Sequence, residues 1–152
     1  MLWEFTVGKA EMILNKSYSE LILFNTFKER FEYLKLYGIV AEETFGYERY
    51  LNQIFYKSKE WAAVRDFVIV RDNGCDLGID GHEILDKYLV IHHINPITVD
   101  DIRNKRSLLL DPDNLITTSL LTHNALHYGN YDLLLDIPVE RYKYDTCPWK
   151  KI

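Results

Sequence analysis

Four of the five histidines fall into two pairs, His92-His93 and His123-x-x-x-His127. A neutral imidazole is the commonest protein ligand for transition metals, and its proton affinity lies nearest neutrality. Histidines four residues apart share one face of a helix, a turn apart, so both rings can reach one ion. A tandem pair on a strand does the opposite, because neighbouring side chains leave on opposite faces. The expected division of labour is one tandem histidine ligating and the other free for proton transfer. The plainer alternative is a surface or satisfied core histidine, which is how His82 reads; His127 can also cap its own helix. Spacing favours a metal site and does not choose between a structural and a catalytic ion.

These side chains need a strand end and a helix face. Tyr88–His92 (YLVIH) is short and β-rich, and Pro96 stops it because proline cannot continue a ladder. Leu115–Thr118 reads as a second strand. Ser119–Tyr128 reads as a helix with Leu120, His123, Asn124 and His127 at helical spacing and Gly129 as its stop. Between the strands, residues 97–113 read as a long polar connection that holds Arg103, Lys105 and Arg106 and closes on Asp111-Pro112-Asp113.

The first half reads as helical. Thr26-Phe27-Lys28-Glu29 has capping-box spacing, Phe27, Phe31 and Leu34 then recur on one face, and Gly38 supplies a stop. Tyr47–Tyr56 is a second expected helix with Tyr50, Leu51, Ile54 and Phe55 inward. Ser58 caps a third that carries Trp61, Val64, Arg65 and Val68 as far as Asn73-Gly74. Trp61 and the aromatics Phe27, Phe31, Tyr33, Tyr50 and Phe55 read as core, not as base-stacking platforms. Residues 1–25 show no clean period.

Composition sets the outer bounds. The 152 residues, 47% hydrophobic and 27% charged, suffice for one ordinary domain with a core. No apolar run approaches the roughly 18 residues of a membrane span, and no basic-then-apolar leader opens the chain. Cys75 and Cys147 are too few for a disulfide framework, so two free thiols in a cytoplasmic protein are expected. The net charge of −5 weighs against a nonspecific nucleic-acid binder, although the acidic excess lies before residue 87.

The run LVIHHINPIT … DPDNLITTSLLTHNALHYG resembles the core of HNH endonucleases, the ββα-metal or His-Me finger fold. The likeness covers roughly residues 60–130. More loosely, TFKERFEYLKLYG, RDNGCDLGI and YDTCPW resemble small HNH proteins of bacteriophages and prophages. The resemblance implies that His93 is the general base that deprotonates water. It implies that Asn114 orients that base or, as in some members, binds metal, and that His92, His123 and His127 ligate one divalent ion. That ion would act as a Lewis acid at the scissile phosphate. Three imidazoles favour Zn²⁺, Mn²⁺ or Ni²⁺, with Mg²⁺ still open.

Many family members also hold a structural zinc on two Cys-x-x-Cys pairs. Here those positions read Cys75-Asp76-Leu77-Gly78 and Ser119-Leu120-Leu121-Thr122, so no structural four-cysteine zinc is expected and Cys75 becomes a small buried residue. Arg103, Lys105 and Arg106 are candidate phosphate contacts, with Lys143, Lys150 and Lys151 adding charge near the tail. DNA binding should be weak and salt-dependent, which suggests delivery of substrate by a partner.

The expectation is a single α+β domain: a helical N-terminal region (1–57), an HNH nuclease core (58–131) and a C-terminal tail (132–152). The implied function is a metal-dependent DNA endonuclease, with phage packaging beside a terminase as the setting. The alternatives are a non-catalytic metal-containing accessory of packaging or counter-defence, and an RNase with the same core.

Overall fold

The computed structural model describes residues 16–36, 49–85 and 87–135. Among these, helices and one antiparallel two-stranded sheet combine in an α+β arrangement. In chain order they are α1 (Tyr18–Leu21), α2 (Phe27–Leu34), α3 (Arg49–Tyr56), α4 (Lys59–Arg71), β1 (Leu89–His93), α5 (Val99–Arg103), β2 (Leu115–Ser119) and α6 (Leu120–Tyr128). Single 3-10 turns lie at Asp76–Gly78, Ser107–Leu109, Pro112–Asn114 and Tyr131–Leu134. No helix among the described residues is long and apolar enough to cross a membrane.

The helix starts are written in side chains. Thr26 accepts from the amide of Glu29 at 3.2 Å while Glu29 accepts from the amide of Thr26 at 3.1 Å, completing the capping box. Ser58 caps α4 through the Trp61 amide and Ser119 caps α6 through that of Thr122. Each such cap contributes about 1 kcal/mol. Gly129 ends α6 at φ 65°, in the left-handed region that glycine enters without steric cost.

Short helices are unstable alone, so packing has to hold α1 and α2. Leu21, Phe31 and Leu34 are fully buried against Ile94, Ile116, Ala125 and Leu126. At about 1.5–3 kcal/mol per large side chain, this burial outweighs any local propensity. The backbone follows: the Leu36 amide donates to the Leu126 carbonyl at 2.8 Å. Lys35 leaves helical geometry to make that turn, so α2 ends before Gly38, which lies outside the described residues.

The sheet separates two apolar clusters. Register pairs His92 with Ile116 and His93 with Leu115. Ile116 belongs to the cluster under α6, whereas Leu115 packs with Trp61, Val68 and Ile91 under α4. The two tandem histidines therefore enter different halves of the core, as strand alternation requires.

Charged groups lock α4 to β2. The Asp72 carboxylate accepts from Arg71 Nε at 2.8 Å and from the Thr117 amide at 2.8 Å. Arg71 also donates to the carbonyls of Pro112 and Leu115, and its guanidinium lies 3.4 Å from the Tyr18 ring centroid. Asp72 is 3% exposed, so its removal strands a half-buried guanidinium and a buried amide. Asp72→Ala should cost about 3–5 kcal/mol in urea unfolding; a loss below about 1 kcal/mol would show that the pair is solvent-screened.

Where the resembling proteins have a second cysteine pair, Ser119 and Thr122 are tied to one carboxylate. Asp76 accepts from the Ser119 amide at 3.1 Å, from its hydroxyl at 3.0 Å, and from the Thr122 hydroxyl. Burial pushes the Asp76 carboxyl above its usual range, and these hydrogen bonds oppose that shift. Cys75 beside it is 3% exposed, in keeping with a small buried residue. Cys147 and the tail lysines Lys143, Lys150 and Lys151 lie outside the described residues.

One expectation is corrected, and two segments that the pattern left open gain structure. Tyr50 and Ile54 do not point inward; they are 70% and 51% exposed, and α3 half-buries Leu51 and Phe55 instead. Within the polar connection of residues 97–113, Thr98 and Asp101 form a capping box that starts α5. Ser17 likewise caps α1 within a stretch that shows no period.

Candidate metal centre

His123 and His127 project from α6 one turn apart, and their Nε2 atoms are 3.0 Å from each other. His92 comes from β1 to meet them, with ring centroids 5.4 Å from His123 and 5.3 Å from His127. One ligand atom from each of the three lies within 4.8 Å of the others. Imidazole nitrogens bound tetrahedrally to zinc stand about 3.3 Å apart, so the helical pair is close to ligating separation. A shared proton could join that pair alone, but the third ring decides between the two. His92 Nε2 is buried with no hydrogen-bond partner among the described residues. An unsatisfied buried polar atom costs about 1–3 kcal/mol, and one cation among the three nitrogens removes that cost. The donor set therefore fits a divalent ion with three imidazole ligands. A three-ligand protein site also keeps coordination positions open.

His93 takes the other face. Its ring stacks on Trp61 at 5.4 Å between centroids and 19° between planes, with Phe55 at 6.4 Å. His93 Nε2 is 3.1 Å from the Leu109 carbonyl oxygen. A carbonyl only accepts, so the neutral ring carries its proton on Nε2 and its lone pair on Nδ1. His93 is not among the grouped ligands.

Asn114 is 4% exposed, and its side-chain amide is engaged in hydrogen bonds within the loop. Its Oδ1 accepts from the Asn95 amide at 2.9 Å and from Asn95 Nδ2 at 2.8 Å, while its Nδ2 donates to the Leu108 carbonyl at 3.0 Å. It thus clamps the chain just after His93 to the turn that presents the Leu109 carbonyl. The hydrogen bonds that link Asn114 to the surroundings of His93 run through Asn95 and the Leu108 carbonyl.

Arg103, Lys105 and Arg106 gather beside α3, on a groove of about 590 Å³ floored by Phe55, Leu109 and Leu110. Phe55 and Leu109 are also neighbours of His93, so these cations stand on the same side of the sheet as His93. Arg106 pairs with Asp100 at 3.1 Å and with Asp101 at 3.4 Å. Its guanidinium is more than half exposed, and such pairs are worth little in water, so it can exchange partners. His82 is exposed and stacks on Phe27, apart from the triad. The aromatic surroundings of His93 escape sequence reading, because Trp61 carries only the signature of a core residue.

Burial sets the protonation of all four histidines. It lowers His93 and His127 to about 4, lowers His123, and holds His92 well below the usual imidazole range. All four are neutral at pH 7, so ligation by His92, His123 and His127 would need no proton release there. The folded rings bind protons more weakly than unfolded ones, so stability falls as pH drops from about 6.5 toward 4. His93 alone makes this loss on the order of 3 kcal/mol. Urea midpoints in chelator across that window should show it; a flat profile would place these rings in water.

Comparison with protein-family models, with curated proteins and with solved structures gives no match.

Proposed function

We propose that this protein is a metal-dependent endonuclease of the HNH, ββα-metal type that hydrolyses DNA phosphodiester bonds. One observation carries the reading: His92, His123 and His127 converge, with an unpartnered buried nitrogen, while His93 beside them stays outside the cluster. The order β1, connection, β2, α6 supplies the two-strand-and-helix frame that this reading needs.

His92, His123 and His127 would hold the ion. When bound, it supplies Lewis-acid stabilisation of the charge that develops on the phosphate and the leaving oxygen. His93 Nδ1 takes a proton from water as the water oxygen forms its bond to phosphorus. The bond from phosphorus to the 3′ oxygen breaks, and that oxygen leaves with a proton from solvent. Stacking on Trp61 and the bond to Leu109 fix the ring, so little entropy is lost in orienting it. Arg103, Lys105 and Arg106 contribute phosphate contacts. The motif likeness carries the phage setting and a terminase partner.

A second reading, a metal-containing accessory without turnover, is favoured by one fact: His93 is only 8% exposed. Incubation of the full chain with plasmid DNA and with structured RNA, with Zn²⁺, Mn²⁺, Ni²⁺ or Mg²⁺ and in chelator, separates the readings. The nuclease proposal expects nicked or linear plasmid with metal and intact plasmid in chelator. Cleavage confined to RNA would move the substrate assignment, and no cleavage of either would favour the accessory.

A further inference from the structure

The elbow between α3 and α4 carries three aromatic rings that do not merely fill space. Phe55 and Tyr56 lie 5.0 Å apart, and Trp61 is 5.3 Å from Phe55 and 5.1 Å from Tyr56. Ser58 rigidifies this corner, accepting from the Trp61 amide at 3.2 Å and donating to the Phe55 carbonyl at 2.6 Å. The Trp61 indole is 6% exposed and presents its face to the His93 ring, nearly parallel to it. An imidazole held at a single edge, by the Leu109 carbonyl, could still swing about that bond. A large flat ring against its face removes that freedom.

We propose that Trp61 is a positioning residue for His93: stacking fixes the imidazole plane so that Nε2 stays on the Leu109 carbonyl and Nδ1 is kept as the unprotonated nitrogen in one fixed direction. The catalytic half of this inference rests on His93 being the base proposed above; the positional half does not. It also gives the helical first half a task, because α3 and α4 supply the wall that orients a side chain of β1. Val68 supplies the control, since it lies fully buried in the same cluster as Trp61 and has no ring to stack on His93.

The test compares Trp61→Leu, Trp61→Phe and Val68→Ala in the full chain, with and without Zn²⁺. In ¹⁵N-histidine spectra, the wild type should show His93 as the single Nε2–H tautomer with a slowly exchanging ring proton. Trp61→Phe and Val68→Ala should keep that signature, and Trp61→Leu should lose it while the His92, His123 and His127 signals persist. In plasmid cleavage, Trp61→Leu should lower kcat at least about tenfold with KM within about twofold, and Trp61→Phe should restore most of it. If Trp61→Leu does not fold, Trp61→Met fills more of the volume and supplies the same comparison. Retention of the protected proton without an aromatic ring at 61 overturns the proposal, as does an equal loss in Val68→Ala. If the wild type cleaves nothing while the spectra behave as expected, the nuclease reading fails and the positioning role stands.

Discussion

His93→Ala should lower metal-dependent plasmid cleavage by about 10²–10⁴-fold, the usual contribution of a positioned general base. Metal affinity should stay within a few-fold of wild type, because His93 points across the sheet from the three grouped nitrogens. Stability should fall by about 1–3 kcal/mol, since the ring leaves a gap between Trp61 and the Leu109 carbonyl. Added imidazole fits that gap and should recover part of the activity, which loss of an ordinary core residue would not allow. Calorimetric metal titration beside a cleavage time course decides the matter. If the variant loses metal and fold together, His93 is a ligand and its assignment as the base is wrong.

His123→Ala gives the opposite pattern. It should weaken binding of Zn²⁺ by more than about 100-fold, because losing a ligand costs more than the roughly 10–100-fold lost with a group that only hydrogen-bonds one. Wild type should gain about 2.7 kcal/mol at a free ion concentration 100 times its Kd, and the variant should gain almost nothing there. Without metal the two should unfold alike to within about 1 kcal/mol, since His123 is only partly buried. His127→Ala should behave the same way. Denaturation with and without Zn²⁺, Mn²⁺, Ni²⁺ and Mg²⁺ reads both affinity and preference. Equal stabilisation of wild type and His123→Ala would remove the triad as the site, and a response to Mg²⁺ alone would contradict imidazole ligation.

The grouping of His92, His123 and His127 is legible in the sequence because helix and strand periodicities are strict. Four-residue spacing forces His123 and His127 together, and strand alternation forces His92 and His93 apart. Helix starts are legible wherever a hydroxyl stands three residues before glutamate or ahead of an apolar run, as at Thr26, Ser58 and Ser119. The start at Thr98 escapes such reading because its box closes on Asp101, a shorter acid, and opens a helix of only five residues. Burial on α3 departs from expectation for another reason. Periodicity shows which residues share a face, and it does not show whether another element covers Tyr50 and Ile54.

What depends on tertiary contact leaves no mark in the sequence. Arg71 and Asp72 look like an ordinary surface pair until the Thr117 amide and two carbonyls are seen to need them. The indirect hold of Asn114 on His93, through Asn95 and Leu108, is likewise a property of the folded loop. Trp61 lies far from His93 in the chain, and its stacking emerges only when α4 packs on the sheet.

The most direct measurement is an anomalous-difference map from crystals grown with Zn²⁺, recorded on both sides of the zinc absorption edge. The proposed centre requires one peak about 2.0–2.1 Å from a ring nitrogen of each of His92, His123 and His127, with both nitrogens of His93 outside bonding range. A peak bonded to His93, or no peak between β1 and α6, would contradict it.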